Sequence, residues 1–400
     1  MTKDHIIVVL KITEQCNLNC SYCYFFNMDN QDFSDKPALI TDETLQQVAG
    51  FLANAAAQYQ AKTVTIVLHG GEPLLIKKNR FEEMIDLFRF QIKPYAELYF
   101  YLQTNAVLLD NEWLELVKIK NVFLGISIDG LEQDHDLFRR DKQNRPTHKI
   151  VVEKIELARA LLTDEDSRSG FGGLYVINPD ANAQATYDFF VNNLELNNLH
   201  YVLPDFWHDN IEKAKLNQVN TYLLDLFSAW TALNGGNNVK IRFLDTAIKS
   251  LIGGRRYITD QLALQNNTVA ITIRSDGEIA VEDQYRNVRP DLFNLGMNVE
   301  NSTLPVFFET PAIQEFLTEI QSLPDDCQGC CFKNVCRGGN FLDAVHRFKS
   351  GRGFNNPSIY CEAYRNLFTH AIQYLLDQNV TLERLMEVLY DTNSNTVISV

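Results

Sequence analysis

The sequence predicts an α/β chain built on a parallel sheet, followed by a smaller cysteine-rich α+β region. Three observations predict it. Apolar runs alternate with helical-period segments from residue 6 to about residue 207. The pattern changes at Thr268, where two short alternating runs flank Ser275-Asp276-Gly277. The eight cysteines fall into two groups, with none between Cys23 and Cys327.

The apolar runs Ile6–Ile12, Val64–Leu68, Leu98–Leu102, Val122–Ile128, Leu174–Ile177 and His200–Leu203 read as strands. The segments Asp42–Gln58, Arg80–Gln91, Asn111–Lys118, Lys149–Leu162 and Ala183–Leu194 read as helices, and Ile211–Leu233 supplies a sixth. Strands each followed by a helix imply parallel pairing with right-handed crossovers. Gly235-Gly236-Asn237-Asn238 reads as a loop, and Ile241–Ile252 as an amphipathic helix ended by Gly253-Gly254. Val269–Ile273 and Glu278–Val281 form a hairpin on an Asp-Gly turn. A helix opens at Cys361 and runs to about Leu376. A short helix follows, and residues 392–400 read as a tail.

Composition narrows the classes. At 400 residues, 46% hydrophobic and 11% aromatic, the chain can bury more than one core. No apolar run is long enough for a transmembrane helix, and Met1–Asp4 opens no secretory signal, so a cytoplasmic location is expected. Cysteines in a reducing compartment point to metal or redox chemistry. The net charge of −15 argues against a nucleic-acid partner.

The chemistry starts at Cys16-Asn17-Leu18-Asn19-Cys20-Ser21-Tyr22-Cys23. Cys16, Cys20 and Cys23 let one short loop wrap three corners of a 4Fe–4S cube, which ordinarily takes four thiolates. With no nearby fourth cysteine, one iron stays open. A structural zinc site would want four protein ligands, and a disulfide is not expected in a chain without a secretory segment. The triplet, with Tyr22 just before its third cysteine, resembles the signature of the radical S-adenosylmethionine (SAM) superfamily. The resemblance implies a partial (β/α)6 barrel of the TIM type. It also implies SAM chelated at the open iron and a 5′-deoxyadenosyl radical formed after one-electron reduction.

Barrel chemistry collects at the C-terminal ends of strands. After the second strand comes His69-Gly70-Gly71-Glu72-Pro73, which resembles the family's GGEP motif for the SAM amino group; a tight turn with a solvated glutamate reads alike in isolation. Gln103 and Asn105 end the third strand, and Ser127 and Asp129 the fourth, at positions the resemblance assigns to SAM; polar strand ends also cap turns. Arg139 is either a carboxylate-gripping ligand contact or a surface arginine beside Arg140, Lys142 and Arg145. Asn178-Pro179 could face a substrate. Asp205-Phe206-Trp207-His208 either lines a peptide site or is ordinary packing.

The second cysteine group, Cys327, Cys330, Cys336 and Cys361, closes a full four-thiolate site; zinc fits that spacing as well. Cys331 reads as a free thiol. The hairpin, the C-x2-C-x5-C-Arg337-Gly338-Gly339 run and the late cysteine together resemble the SPASM extension of peptide- and protein-modifying radical SAM enzymes. Full SPASM domains carry two auxiliary clusters. Here Glu282 and Asn340 stand where cysteines are expected, so the resemblance implies one auxiliary 4Fe–4S cluster and two clusters in total. The bounds read from the chain are 1–235 for the barrel, 236–267 for a linker region, 268–375 for the SPASM-like domain, and 376–400 for a C-terminal helix and tail.

The resemblance implies a peptide maturase. The opening Cys-Asn-Leu-Asn-Cys-Ser-Tyr-Cys-Tyr-Phe-Phe-Asn is similar to that of cyclophane-forming SPASM enzymes, which join an aromatic ring carbon to the β-carbon of a residue two positions on. The expected substrate is a small ribosomally made precursor peptide. There is no room before Cys16 for a separate leader-binding domain, so the barrel or a partner is expected to read any leader. A flavodoxin or ferredoxin-type reductant is expected. Asp283, in an Asp283-Gln284-Tyr285 run followed by Leu295-Gly296, occupies the place of an aspartate base in sulfatase-maturing relatives. The alternative activity is therefore oxidation of Cys or Ser to formylglycine. A non-catalytic electron carrier would need neither the GGEP loop nor an open iron.

Overall fold

The structure is a computed structural model that describes residues 3–162, 170–232, 239–253, 267–339 and 343–390. The expected loop at 235–238, residues 254–266 of the linker region, Asn340 and the tail lie outside the described residues. Two compact units divide the chain. One comprises Met1–Leu174 with Asn267–Gln314, the other Tyr175–Asn266 with Glu315–Val400. These units do not follow the bounds read from the sequence, for a reason found in the sheet.

The first unit runs β1 (His5–Thr13), α1 (Asp42–Tyr59), β2 (Thr63–Gly70), α2 (Lys78–Ile92), β3 (Glu97–Thr104), α3 (Asn111–Ile119), β4 (Val122–Ser127), α4 (Glu132–Phe138), α5 (His148–Leu161) and into β5 (Phe171–Val176). Neighbouring strands from β1 to β5 pair in parallel. Val64, Ile66 and Leu68 of β2 are fully buried, as are Val48 and Leu52 of α1, so helix and sheet share one core. Local signals set the helix starts. Thr41 Oγ1 accepts from Thr44 N at 3.0 Å, and Asp110 Oδ1 from Trp113 N at 2.8 Å, caps each worth about 1 kcal/mol.

The expected hairpin is present as β8 (Thr268–Ile273) and β9 (Ile279–Ala280), paired antiparallel. Gly277 turns it at φ +84, where a Cβ would lie 2.9 Å from Asn298 Oδ1. What the sequence pattern did not show is that β8 also pairs in parallel with β1, from His5 with Thr268 to Leu10 with Ile273. That pairing places the hairpin in the first unit.

In the second unit, Ile177 N donates to Val202 O at 2.9 Å, joining the end of β5 to β6 (Asn198–Val202). Between them α6 (Ala183–Asp188) runs into a π-helical turn, Phe189–Asn193; the sequence reads both as one helix. Then come α7 (Lys213–Ala232), the two-residue β7 (Lys240–Ile241), α8 (Arg242–Leu251) and the helices Cys361–Asp377 and Leu382–Tyr390. Tyr175 stands at the centre of an aromatic core, 5.2 Å from Tyr201 and 5.6 Å from Phe190 between ring centroids. Phe227 of α7 meets Tyr374 at 6.0 Å, seating the helix that begins at Cys361. No helix among the described residues is long and apolar enough to cross a membrane.

Candidate active site

The end of β2 packs against the start of the cysteine loop. Gly71 N donates to Thr13 O at 3.0 Å and Glu72 N to Gln15 O at 2.8 Å. A Cβ on Gly70 would sit 2.2 Å from Thr13 O, and one on Gly71 2.0 Å from Gln15 O. Both glycines are thus demanded by this close approach. Cys16, Cys20 and Cys23 are all part-buried. Cys23 N donates to Cys20 O at 3.0 Å, and Asn27 Nδ2 to the same carbonyl at 2.7 Å. Leu18 N lies 3.4 Å from Cys16 Sγ and Asn105 Nδ2 3.7 Å from it. Burial pushes the Cys16 thiol up to about 12 and the Cys20 thiol to about 11. Such thiols ionise at neutral pH only by binding a metal. Three part-buried thiols on one loop, with N–H donors aimed at sulfur, suit a cluster with one open iron.

Glu72 has structural partners that the sequence did not show. Its Oε1 accepts from Leu74 N at 3.0 Å and Thr104 Oγ1 at 2.6 Å, and its Oε2 from Asn105 N at 2.8 Å. It is fully buried. Burial pushes its carboxyl up to about 7 against the pull of these three donors. The carboxylate therefore ties the ends of β2 and β3 together, with Pro73 opening the short turn Pro73–Leu75 beside it. Oε2 accepts one hydrogen bond and keeps a second acceptor site, so an ammonium contact there needs none of these donors displaced. Glu72→Gln should place an amide NH2 against one of these N–H or O–H donors and cost about 2 kcal/mol; chemical denaturation checks it.

Arg139 is not a surface residue. Its Nε donates to Asp129 Oδ2 at 2.8 Å, and Tyr22 Oη donates to the same oxygen at 2.5 Å. Asp129 and Arg139 are 1% and 7% exposed. Asp129 N donates to His135 Nδ1 at 3.1 Å. Nearby, Gln103 Nε2 donates to Ser127 Oγ at 2.9 Å, and a Cβ on Gly125 would fall 2.3 Å from Gln103 Oε1. Asn105 Nδ2 donates to Asn17 Oδ1 at 2.8 Å. The polar strand ends are therefore joined to the cysteine loop through Tyr22 and Asn17.

Asp283 lies in a buried cluster whose other members were not singled out in the sequence. Lys11 Nζ donates to its Oδ2, as does Tyr24 Oη at 2.6 Å. Lys11 Nζ also lies 3.3 Å from His69 Nδ1 and 4.5 Å from the Phe25 ring centroid. Burial alone raises the Asp283 carboxyl, but the Lys11 and Arg286 cations outweigh it and hold the group at about 2. Burial, with Lys11, pushes His69 down to about 3, leaving it neutral. The neighbouring Glu282 is pushed up to about 7 by burial. Lys11 had a sequence signal: it is the lone charge inside the apolar run of β1, and a fully buried lysine needs a carboxylate.

In the second unit, Cys327, Cys330, Cys336 and Cys361 line one small cavity, walled by Phe332, Tyr364 and Phe368. Cys331 is exposed and does not line it. Gly338 and Gly339 have φ of +75 and +108; a Cβ on each would fall 2.7 Å from Pro324 Cδ and 2.5 Å from Ser358 Cβ. The Arg-Gly-Gly run thus folds the Cys336 turn against the segments carrying Cys327 and Cys361. Burial pushes the Cys327 thiol up to about 11 and raises Cys336 and Cys361 as well. Among the described residues no three His, Cys, Asp or Glu side chains meet tightly enough to hold a single ion. Asp205-Phe206-Trp207-His208 is half-buried; His208 N donates to Phe348 O, and His346 Nδ1 lies 2.7 Å from Phe206 O. Asn178 is buried in a turn, where its N donates to Tyr175 Oη at 3.0 Å.

The sequence pattern of the radical SAM superfamily matches residues 10–187. Residues 10–187 are a radical SAM domain. Such a domain works with SAM and a 4Fe–4S cluster. The radical SAM chain is similar along its length to the cysteine-type anaerobic sulfatase-maturating enzyme of Clostridium perfringens (strain 13 / Type A). That protein is 24% identical over 386 residues, covering 93% of this chain and 97% of the relative. The serine-type enzyme of Bacteroides thetaiotaomicron is 24% identical over 406 residues, covering 93% and 91%. The fold matches native anSMEcpe with bound AdoMet and Cp18Cys peptide at a TM-score of 0.79, with 23% identity and coverage of 94% of this chain and 100% of that one. It matches Streptococcus suis SuiB bound to S-adenosylmethionine at 0.56, with 15% identity and coverage of 90% and 77%.

Proposed function

We propose that this radical SAM enzyme is a peptide maturase that forms a C–C crosslink between a side-chain β-carbon and an aromatic ring of a small ribosomally made precursor. Cys16, Cys20 and Cys23 hold the SAM cluster, and Cys327, Cys330, Cys336 and Cys361 hold one auxiliary 4Fe–4S cluster. The observation that carries the reading is the single four-thiolate cavity, with Glu282 where a further cluster ligand would stand. One electron acceptor suffices for a net two-electron oxidation. When bound, the reduced cluster and SAM supply a radical able to take hydrogen from an unactivated carbon.

The chain's own groups do the rest. Tyr22, Asp129 and Arg139 form a dry polar wall beside the cysteine loop, with Gln103, Asn105 and Ser127 along it. Asp283 takes the proton. A carboxylate held near 2 is ionised at any physiological pH, yet it accepts only from a strongly acidic donor. A ring carbon losing an electron after crosslinking is such a donor. The balance closes with the ring proton on Asp283: the SAM-derived radical would take the β-carbon hydrogen atom, and a cluster held by Cys327, Cys330, Cys336 and Cys361 would accept the remaining electron.

A second reading, formylglycine formation on a Cys or Ser of a sulfatase peptide, is favoured by the full-length similarity to sulfatase-maturating enzymes. Mass spectrometry of a co-expressed candidate precursor separates the two. Crosslinking predicts loss of two hydrogens per motif, with fragmentation blocked between an aromatic residue and the residue two positions on. An unchanged precursor, with an aldehyde formed on a sulfatase peptide, contradicts it.

A further inference from the structure

In a chain of net charge −15, residues 140–149 carry four cationic side chains, Arg140, Lys142, Arg145 and Lys149, against Asp141 alone. This stretch lies against the cysteine loop. Asn19 N donates to Arg140 O at 2.8 Å and Ser21 N to Phe138 O at 3.1 Å, and Leu18 forms a β-bridge with Asp141. Lys142 lines a cavity together with Cys16, Leu18 and Asn19. The chain turns at Arg139: that side chain points inward to Asp129, and the cations after it face water. Lys142, Arg145 and Lys149 are all exposed. The loop is ordered by its own bonds, for Asp141 Oδ1 accepts from Gln143 N at 2.9 Å and Arg145 N at 2.8 Å. A fixed basic surface one hydrogen-bonded layer outside the three thiols is where an electron would enter by the shortest path. Charge there also selects the partner, since complementary fields accelerate encounter.

We propose that residues 140–149 are the docking surface for an acidic one-electron carrier protein, which reduces the cluster at Cys16, Cys20 and Cys23. This rests on the cluster assignment proposed above. One electron leaves the carrier's reduced cofactor and one enters the cluster; no bond forms or breaks. Lys149 does not line the cavity that holds Cys16, whereas Lys142 does, so the dithionite control below reads any disturbance of the cysteine loop.

The test follows cluster reduction by stopped-flow absorbance in the fully loaded enzyme, using a reduced acidic flavodoxin as donor and dithionite as control. Lys142→Glu/Lys149→Glu should slow reduction by flavodoxin roughly tenfold at low ionic strength. The wild-type rate should fall with salt and the variant's should hardly change. Reduction by dithionite should be the same in both. Equal flavodoxin rates with equal salt dependence would overturn the proposal. So would slower reduction by dithionite in the variant, which would mean a disturbed cluster loop, or an effect confined to the KM for peptide, which would make the loop a substrate contact. Failure of the underlying cluster assignment looks different: the wild-type enzyme itself would take no electron from dithionite at the first site.

Discussion

Cys20→Ala is expected to abolish reductive cleavage of SAM while the auxiliary cluster remains. Cys20 is held inside the loop by the Cys23 and Asn27 contacts to its own carbonyl, so the backbone survives loss of the sulfur. Its thiol is part-buried and pushed up to about 11 by burial. A water cannot replace it as a thiolate ligand, and a cube missing one of three corners is lost. The iron and the EPR signal remaining after substitution should be those of one cluster. The mirror substitution, Cys336→Ala, should remove the other signal and leave SAM cleavage in place. Persistence of SAM turnover in Cys20→Ala would mean that the triplet does not hold the reactive cluster.

The second large effect is expected at the Lys11–Asp283 pair. Asp283→Asn keeps the shape but removes the proton acceptor, and turnover of peptide should fall by roughly 10²–10⁴. Uncoupled cleavage of SAM should continue, because no sulfur or strand-end group is touched. Lys11→Met acts through the same carboxylate. It breaks the buried ion pair, leaving Asp283 with Tyr24 Oη and the Arg286 cation, and should cost about 3 kcal/mol of stability. The sign with pH is fixed by the depressed Asp283 value of about 2. In the wild type the stability from this pair is present above the ordinary carboxylate range and is lost as pH falls toward 2. Without Lys11 a main downward pull on Asp283 is gone, and the acid limb of the turnover profile should move up. An unmoved acid limb would remove Asp283 from the chemistry.

Much of the sheet was legible from short apolar runs: β1 carries Ile6–Leu10 and β4 Val122–Ile126, while β2 and β3 alternate buried with less buried residues. The cysteine loop was legible because its ligands lie within eight residues. What could not be read were pairings between distant segments. β8 looks like half of a hairpin, and nothing local shows that its other edge bonds to β1, whose own sequence lies 263 residues earlier in the register His5 with Thr268. The same separation hid the partner of Lys11, 272 positions away at Asp283. Arg139 was ambiguous because its sequence neighbours are solvent-facing cations, and only the fold turns it toward Asp129. The donors to the Glu72 carboxylate from Leu74, Thr104 and Asn105 were not legible, because they meet it only once β2 and β3 lie side by side. β7 is two residues long and has too little pattern to announce itself.

The most direct test of the central claim is product analysis of the anaerobically reconstituted enzyme with dithionite and SAM. The account predicts 5′-deoxyadenosine and methionine in equal amounts, both dependent on Cys16, Cys20 and Cys23 together. Intact SAM, from enzyme shown by iron and sulfide analysis to carry both clusters, would contradict it.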